Sequence, residues 1–403
     1  MPNTINNLKD APGVIAKMAA TMLADKVQFC KSIDKEPAAT FDGVNGYQAG
    51  DTIQISKPAR FVPSTGADVT SAIQDIVEEK TSLTLDTRSV VPVQLTSSEV
   101  FTELGLKSWT KRVLDPAMSS IAQDVESRFL DQAVKATGNL VGTPGSEAFT
   151  QDTMLSAAQK IYENGCVDDG NQFALLTPFG TRKAVVDRTD LQNPTQEISD
   201  LYKTGVMGVA DGFTYLRNNL LPTITNGSDI TGIAINDAAV AEGATTITID
   251  GASAAPAVGA VFTIAGVNAV HPISKDDLGY LKQFVVVAAT TSEITLSDGL
   301  YAGSNGLKNI TALPADNAAL TFVGSASTGY RQNLAYHKSA FRMVSVPLMV
   351  PDDAHMAAQE TVDDMTVRVW MASDVLTDTM TARIDFLGGL ADVRPEWAVR
   401  ITE

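Results

Sequence analysis

Residues 333–351 read NLAYHKSAFRMVSVPLMVP. The stretch places His337, one of only three histidines, beside Lys338 and ahead of an apolar run closed by prolines. Two readings compete: a catalytic His–Lys pair in a pocket, or a strand by which the chain re-enters a fold it left earlier. Catalysis by histidine needs partners held in geometry. An isolated histidine between a lysine and strand-like residues reads first as a surface or interface polar group.

The residues just upstream favour re-entry. Between Thr223 and Thr328 there is no arginine, helical periodicity nearly vanishes, and Gly, Ala and Thr dominate. Short strand patterns recur there: TTITI (245–249), AVFTIAG (260–266), QFVVVAA (283–289), EITLS (293–297) and ALTFV (319–323). Turn-forming residues, SDGLYAGSNG among them, separate these patterns, as in a small all-β barrel or sandwich. From Tyr330 on the composition is mixed again. DMTVRVWMASD and MTARIDFLGGL alternate as strands do, with Val367 and Val369, then Ile384 and Phe386, in phase. A β module interrupting a mixed α/β body is the pattern of a domain inserted in a loop. LLPTITNGSD would be the outgoing linker and SASTGYRQ the return.

Before the interruption, residues 151–221 read as a mixed α/β unit. DTMLSAAQKIYENG suggests a helix with Asp152 as N-cap and Gly165 as stop, NQFALLTP a buried strand, and TPFGTRKAVVDRT a turn and helix. The best-defined element is LDPAMSSIAQDVESRFLDQAVKATG. Asp115 and Pro116 suit a helix start and Gly138 its end, while Met118, Ile121, Ala122, Val125, Phe129, Ala133 and Val134 form one stripe. Residues 11–34 suggest an amphipathic arm, with Val14, Ile15, Met18, Ala19, Met22 and Val27 near helical spacing. DTIQIS and SLTLDTRSVVPVQL alternate as strands, and residues 57–82 between them form a long charged excursion. Hairpins normally turn in a few residues, so this excursion has little core of its own and needs a partner surface.

Composition narrows the function classes. The 403 residues carry a net charge of −17 with a pI near 4.6, 44% hydrophobic and 19% charged residues, and a mean hydropathy of +0.03. The chain can bury more than one core, and its acidity disfavours sequence reading of DNA. Cys30 and Cys166 are far apart and form no CxxC, so buried, reduced thiols are expected. The start MPNTINNLKDAPG lacks the basic and apolar regions of a signal peptide, and no apolar run matches a bilayer span. Neither export nor a membrane role is expected. No GxSxG, HExxH, P-loop or GxGxxG occurs. Asp352 and Asp353 near His355 read as helix-start residues before metal ligands. Trp109, Trp370 and Trp397 read as core or interface anchors. No catalytic residue, cofactor or metal is expected.

The opening stretch resembles a segment of the podovirus-type major capsid proteins of tailed bacteriophages that carry an inserted β domain. There an N-L-x-aromatic-(H/N)-basic start leads through an apolar strand to a V-P or I-P end. VGAVFTIAGVNAVHPISKDDLGYLKQFVVVAA (258–289) likewise resembles that family's inserted domain, with His271 before Pro272 in its H/N-P turn. The similarity runs in order along nearly the whole chain. It implies an α+β class and the phage major capsid (Johnson) fold. The implied division is an N-terminal helical arm (1–40), an extended β loop (41–100), a peripheral domain with a spine helix (101–150) and an axial domain (151–222). An inserted telokin-like β barrel (223–330), the axial return (331–352) and peripheral C-terminal strands (353–403) follow.

On this reading the protein is a shell subunit enclosing double-stranded DNA, and its sites are interfaces. Lys57, Arg60, Glu78, Glu79, Lys80 and Arg88 are the candidates for contacts between subunits, each weak singly and steep in sum. The implied partners are further copies in hexamers and pentamers, a scaffolding protein, a portal protein, an optional decoration protein, and packaged DNA held without specific binding. The place of action would be the virion capsid, assembled in the host cytoplasm. Two other classes compete with this reading: a bacterial surface-layer or adhesin-type subunit, and a hydrolase around His337, Asp352 and His355.

Overall fold

The structure is a computed structural model and describes residues 11–36, 52–57, 61, 70, 73, 80–96, 113–146, 149–187, 208–303, 306–350, 356–374 and 379–403. The chain divides into two compact units. One comprises residues 1–55, 81–129 and 341–391; the other comprises 56–80, 130–340 and 392–403. Residues 333–351 therefore straddle a boundary: the chain leaves the second unit at Ala340 and enters the first at Phe341. The re-entry reading is the one the fold supports.

In the first unit a six-stranded sheet is built around the long strand Thr379–Asp392. On one edge it pairs with Thr87–Thr96 without interruption, from Thr379 opposite Thr96 to Gly388 opposite Thr87. On the other it pairs with Met365–Asp374, which pairs in turn with Met356–Val362. The last two strands meet in a two-residue turn at Asp363 and Asp364, both with positive φ (53° and 57°), the geometry that matches strand twist. Phe341–Ser345 and Asp34–Glu36 complete the sheet. Thr52–Ser56 and Lys80–Thr84 pair separately as a ribbon.

The helical arm differs from its sequence reading in two ways. It is two helices, Ala11–Lys26 and Phe29–Ser32. The break has a cause: Glu126 Oε1 of the spine helix accepts from the N–H groups of Gln28 and Phe29, at 3.1 and 2.8 Å. A carboxylate on these otherwise orphaned donors starts the second helix afresh. The buried stripe is also finer-grained than the methionines suggested. Ile15, Ala16, Ala19, Ala20, Leu23 and Ala24 are buried, whereas Met18 and Met22 are half-buried. Alanines let the helix lie close on the strands Met356–Val362 and Met365–Asp374.

The spine helix spans Asp115–Ala136, 22 residues or about 33 Å. All seven residues of its expected stripe are buried. Lys26 reaches back to its first turn, to the Asp115 carboxylate and to Ser119 Oγ at 2.6 Å.

In the second unit Gly329–His337 is the central strand of a seven-stranded sheet, antiparallel to both Ala398–Thr402 and Gln172–Leu176. Phe213–Arg217 adds on parallel to Gln172–Leu176. The neighbouring helices are Gln151–Glu163 and Pro178–Asp187. Thr150, not Asp152, caps the former: its side chain accepts from Thr153 N–H at 3.4 Å. Gly165 (φ +73°) ends it as expected.

The second sheet of this unit runs in the order 234–235, 244–250, 293–300, 277–289, 261–270, 320–322. Its ends join: Ile235 N–H donates to Ala318 C=O (3.0 Å) and Leu320 N–H to Ile233 C=O (2.9 Å). The result is a closed barrel without free edges. Its core holds Ile247, Ile249, Val286, Ile294 and Leu296, with the Phe262 ring tilted against those of Phe284 and Phe322, centroids 5.9 and 5.2 Å away. Gly251 is required at its turn. Its φ is +79°, and a Cβ there would stand 2.2 Å from the Gly232 carbonyl oxygen.

Candidate assembly surface

The histidine that opened the question is buried, at 4% exposure. Its Nδ1 accepts from Ser339 N–H at 3.2 Å, so Nε2 carries the proton and donates to Asp169 Oδ1 at 3.0 Å. Trp397 meets the ring edge-on, with centroids 5.3 Å apart. Bonds from Asn171 and then from His337 hold the Asp169 carboxyl well below the usual carboxylate range. The group ties strand to loop. It is not the surface position its neighbours in sequence suggested. Asp352, Asp353 and His355, the other members of the hydrolase reading, lie outside the described residues, as does Trp109.

His271 is structural in the same way: its Nδ1 accepts from the N–H groups of Ile273 and Ser274, both at 3.2 Å, and so shapes the H-P turn. Both cysteines are free and buried, and burial pushes the Cys166 thiol up to about 12. Among the described residues no cluster of His, Cys, Asp and Glu could hold a metal ion, and no helix is long and apolar enough to cross a membrane.

Of the six contact candidates, Arg60, Glu78 and Glu79 lie outside the described residues. Lys80 is exposed at the start of its strand. Lys57 sits 3.6 Å from Asp298 on the rim of a cavity of about 100 Å³ in the second unit. Asn139, Tyr280, Tyr301 and Lys308 also line this cavity. Behind it Lys160 donates to Gln283 Oε1 at 2.6 Å and to Leu140 C=O at 2.8 Å. Burial pushes Lys160 down to about 8, against the pull of Glu163.

Arg88 belongs to a centre that sequence reasoning missed. Strand pairing places Arg368 directly opposite Asp385, Trp370 opposite Arg383, and Arg88 opposite Leu387. By the period of two, all these side chains share one sheet face with Asp385. Asp385 is fully buried. Its Oδ2 accepts from Arg368, through Nε at 3.1 Å and through Nη2, and from Trp370 Nε1 at 3.3 Å. Its Oδ1 accepts from Arg383 Nε at 2.7 Å, and Arg88 Nη2 stands 3.9 Å from Oδ2. Arg368 and Arg383 also lie 5.7 and 5.9 Å from the Trp370 ring centroid. The sequence signal was the alternation R-V-W in one strand facing R-I-D in the next, legible only once the register was known.

Exposed apolar side chains mark the long excursion. Phe61 is 57% exposed and Ile73 80%.

Residues 21–402 match the family described as P22 coat protein, gene protein 5. The chain belongs to that family. It is therefore a shell-forming coat protein of the tailed-phage type, with the α+β capsid fold expected from the sequence, and it associates with copies of itself in the virion capsid. The surface-layer reading has no support. Solved structures to which the chain is similar include one from Mycobacterium phage Che8, at 13% identity, covering 93% of this chain and 90% of that one, with a TM-score of 0.47. Another is the mature capsid of bacteriophage PhiM1, at 10% identity, 93% and 86% coverage and a TM-score of 0.45. A third is the capsid of Ralstonia phage GP4, at 9%, 92% and 86%, with a TM-score of 0.44. No curated protein matches the chain. The family is one of structural capsid proteins.

Proposed function

We propose that this coat protein assembles in the host cytoplasm, with a scaffolding protein, into hexamers and pentamers of an icosahedral shell built on a portal. A decoration protein is an optional outer partner, and the work involves no catalysis. The excursion 57–80 is the reaching element. The observation that carries this is the exposure of Phe61 and Ile73 on a segment between two paired strands; apolar side chains presented this way suit a neighbour's surface. Arg60, Glu78, Glu79 and Lys80 supply ion pairs around that contact, while Lys57 and Arg88 divide their charge between a neighbour and the intrachain partners Asp298 and Asp385.

Residues 223–330 act as an inserted barrel domain, a reading supported by the closed six-stranded sheet inside that range. The net charge of −17 keeps the shell wall from gripping packaged DNA.

The test is electron microscopy of the protein expressed with and without the neighbouring reading frames of its source genome. Closed shells are expected from the wild type, and Phe61→Asp with Ile73→Asp should leave folded, unassembled subunits. Normal shells from the double variant would remove the excursion from the interface. Monomers alone from the wild type, even with a scaffold present, would overturn the assembly route.

A further inference from the structure

The sheet face around Asp385 carries more positive charge than it can use. Three guanidinium groups, those of Arg88, Arg368 and Arg383, converge on a single carboxylate. Among the described residues they have no second acidic partner, which leaves an excess of two positive charges. Two of the three are not sealed in: the side chains of Arg88 and Arg383 are 35% and 33% exposed. Arg88 Nε is buried without a hydrogen-bond partner, and so is Oε1 of Gln359, the residue paired with Arg368 in the adjacent strand. Arg368 spends its remaining reach on the Met349 carbonyl. The fork of each outer guanidinium matches a carboxylate held bidentately.

We infer that this face is a docking site for an acidic segment of a second copy of the chain, whose carboxylate enters between Arg88 and Arg383. The inference rests on the protein being a shell subunit. It adds the site, the side chains and the chemistry of the partner.

Charge complementarity selects the occupant. With 47 acidic against 30 basic residues, copies of this chain repel one another except where a cationic patch meets an acidic one. Every neighbouring copy offers acidic residues in plenty. DNA phosphates would suit the same forks, but the surrounding acidity opposes a polyanion of that size.

Arginine footprinting with phenylglyoxal and mass spectrometry tests this on the whole protein, in free subunits, empty shells and DNA-filled shells. The expected result is that Arg88 and Arg383 are labelled in free subunits and at least about five-fold less in empty shells. Equal labelling in subunits and shells would overturn the proposal. Protection already present in free subunits would overturn it in favour of a carboxylate of the same chain, and protection only in filled shells in favour of DNA. Arg88→Gln and Arg383→Gln supply the energetic arm. Each should raise the subunit concentration needed for assembly by about ten-fold while circular dichroism of the subunit stays that of the wild type, with Arg383→Lys intermediate. An unchanged threshold would show a contact in which the charges play no part, and would also overturn it. If the wild type formed no shells, the assembly reading itself would fail first; shells with unprotected arginines strike only the docking site.

Discussion

Two buried charges, one in each unit, are treated in opposite ways. Asp385 in the first unit receives donors from Arg368, Arg383 and Trp370, with Arg88 close by. Arg400 in the second is 1% exposed, and among the described residues its side chain has a single hydrogen-bond partner, the Gly259 carbonyl oxygen 2.8 Å from Nη1. Its Nε and Nη2 are unpaired, and burial pushes it down to about 9. The first charge is over-compensated and the second hardly compensated at all. A buried ion is tolerable when its hydrogen-bonding positions are filled, and costly when they are not. Removing the two charges should therefore move stability in opposite directions.

The larger effect is at Asp385. Asp385→Ala strands Arg368 and crowds three like charges, and a loss of about 3–5 kcal/mol is expected for breaking a buried charge cluster from one side. Two units need not unfold in one transition. The measurement is therefore amide exchange in 365–374 and 379–392, where protection should fall most. A loss below about 1 kcal/mol would mean that the arginines find other partners, and the contrast with Arg400 would collapse.

Next in size is Arg400→Met. It keeps the bulk of the side chain, discards an uncompensated charge and gives up one hydrogen bond. A gain of about 1–3 kcal/mol is expected, the range seen when buried ions give way to apolar groups. The readout is the unfolding midpoint of the second unit's strands in urea. Destabilisation instead would show that the bond to Gly259, which joins the strand Ala398–Thr402 to the barrel, outweighs the desolvation it entails.

The same pair explains what could be read from the sequence. Local patterns were legible. Asp115, Pro116 and the stripe from Met118 to Val134 gave the spine helix, and the five recurring β patterns lie within or overlap strands of the barrel. Long-range convergence was not. Arg88 and Asp385 are brought together by strand register, and a one-residue slip would turn either to the other face. The cut in the arm at Gln28 depends on Glu126, far along the chain, and no local pattern announces it. The hairpin at Asp363–Asp364 was readable in principle, since two aspartates between alternating runs suit a turn with positive φ at both positions. Gln172, Gln332, Gln359 and Arg88 each retain a buried side-chain atom without a hydrogen-bond partner, and no local pattern in the sequence marks them.

The smallest expected effect concerns Asp169, an ion at the opposite extreme of burial, and it sharpens the contrast. Its side chain is 41% exposed, so solvent screens whatever its partners supply, and the whole contribution should stay below about 1 kcal/mol. The sign is nonetheless fixed. Its folded-state carboxyl is held below the unfolded value near 4 by Asn171 first and His337 second. The stabilisation is thus complete above that unfolded value and disappears as pH falls through the folded one. His337→Ala should flatten the acid limb of the stability curve only in part, because both bonds from Asn171 remain. Asn171→Ala should flatten it more. Urea midpoints between about pH 2 and pH 6, followed by the fluorescence of Trp397 beside His337, rank the two. If His337→Ala proved the larger, the imidazole would be the main stabiliser of the carboxylate, and the stretch that begins at Asn333 would owe its acid sensitivity to the histidine itself.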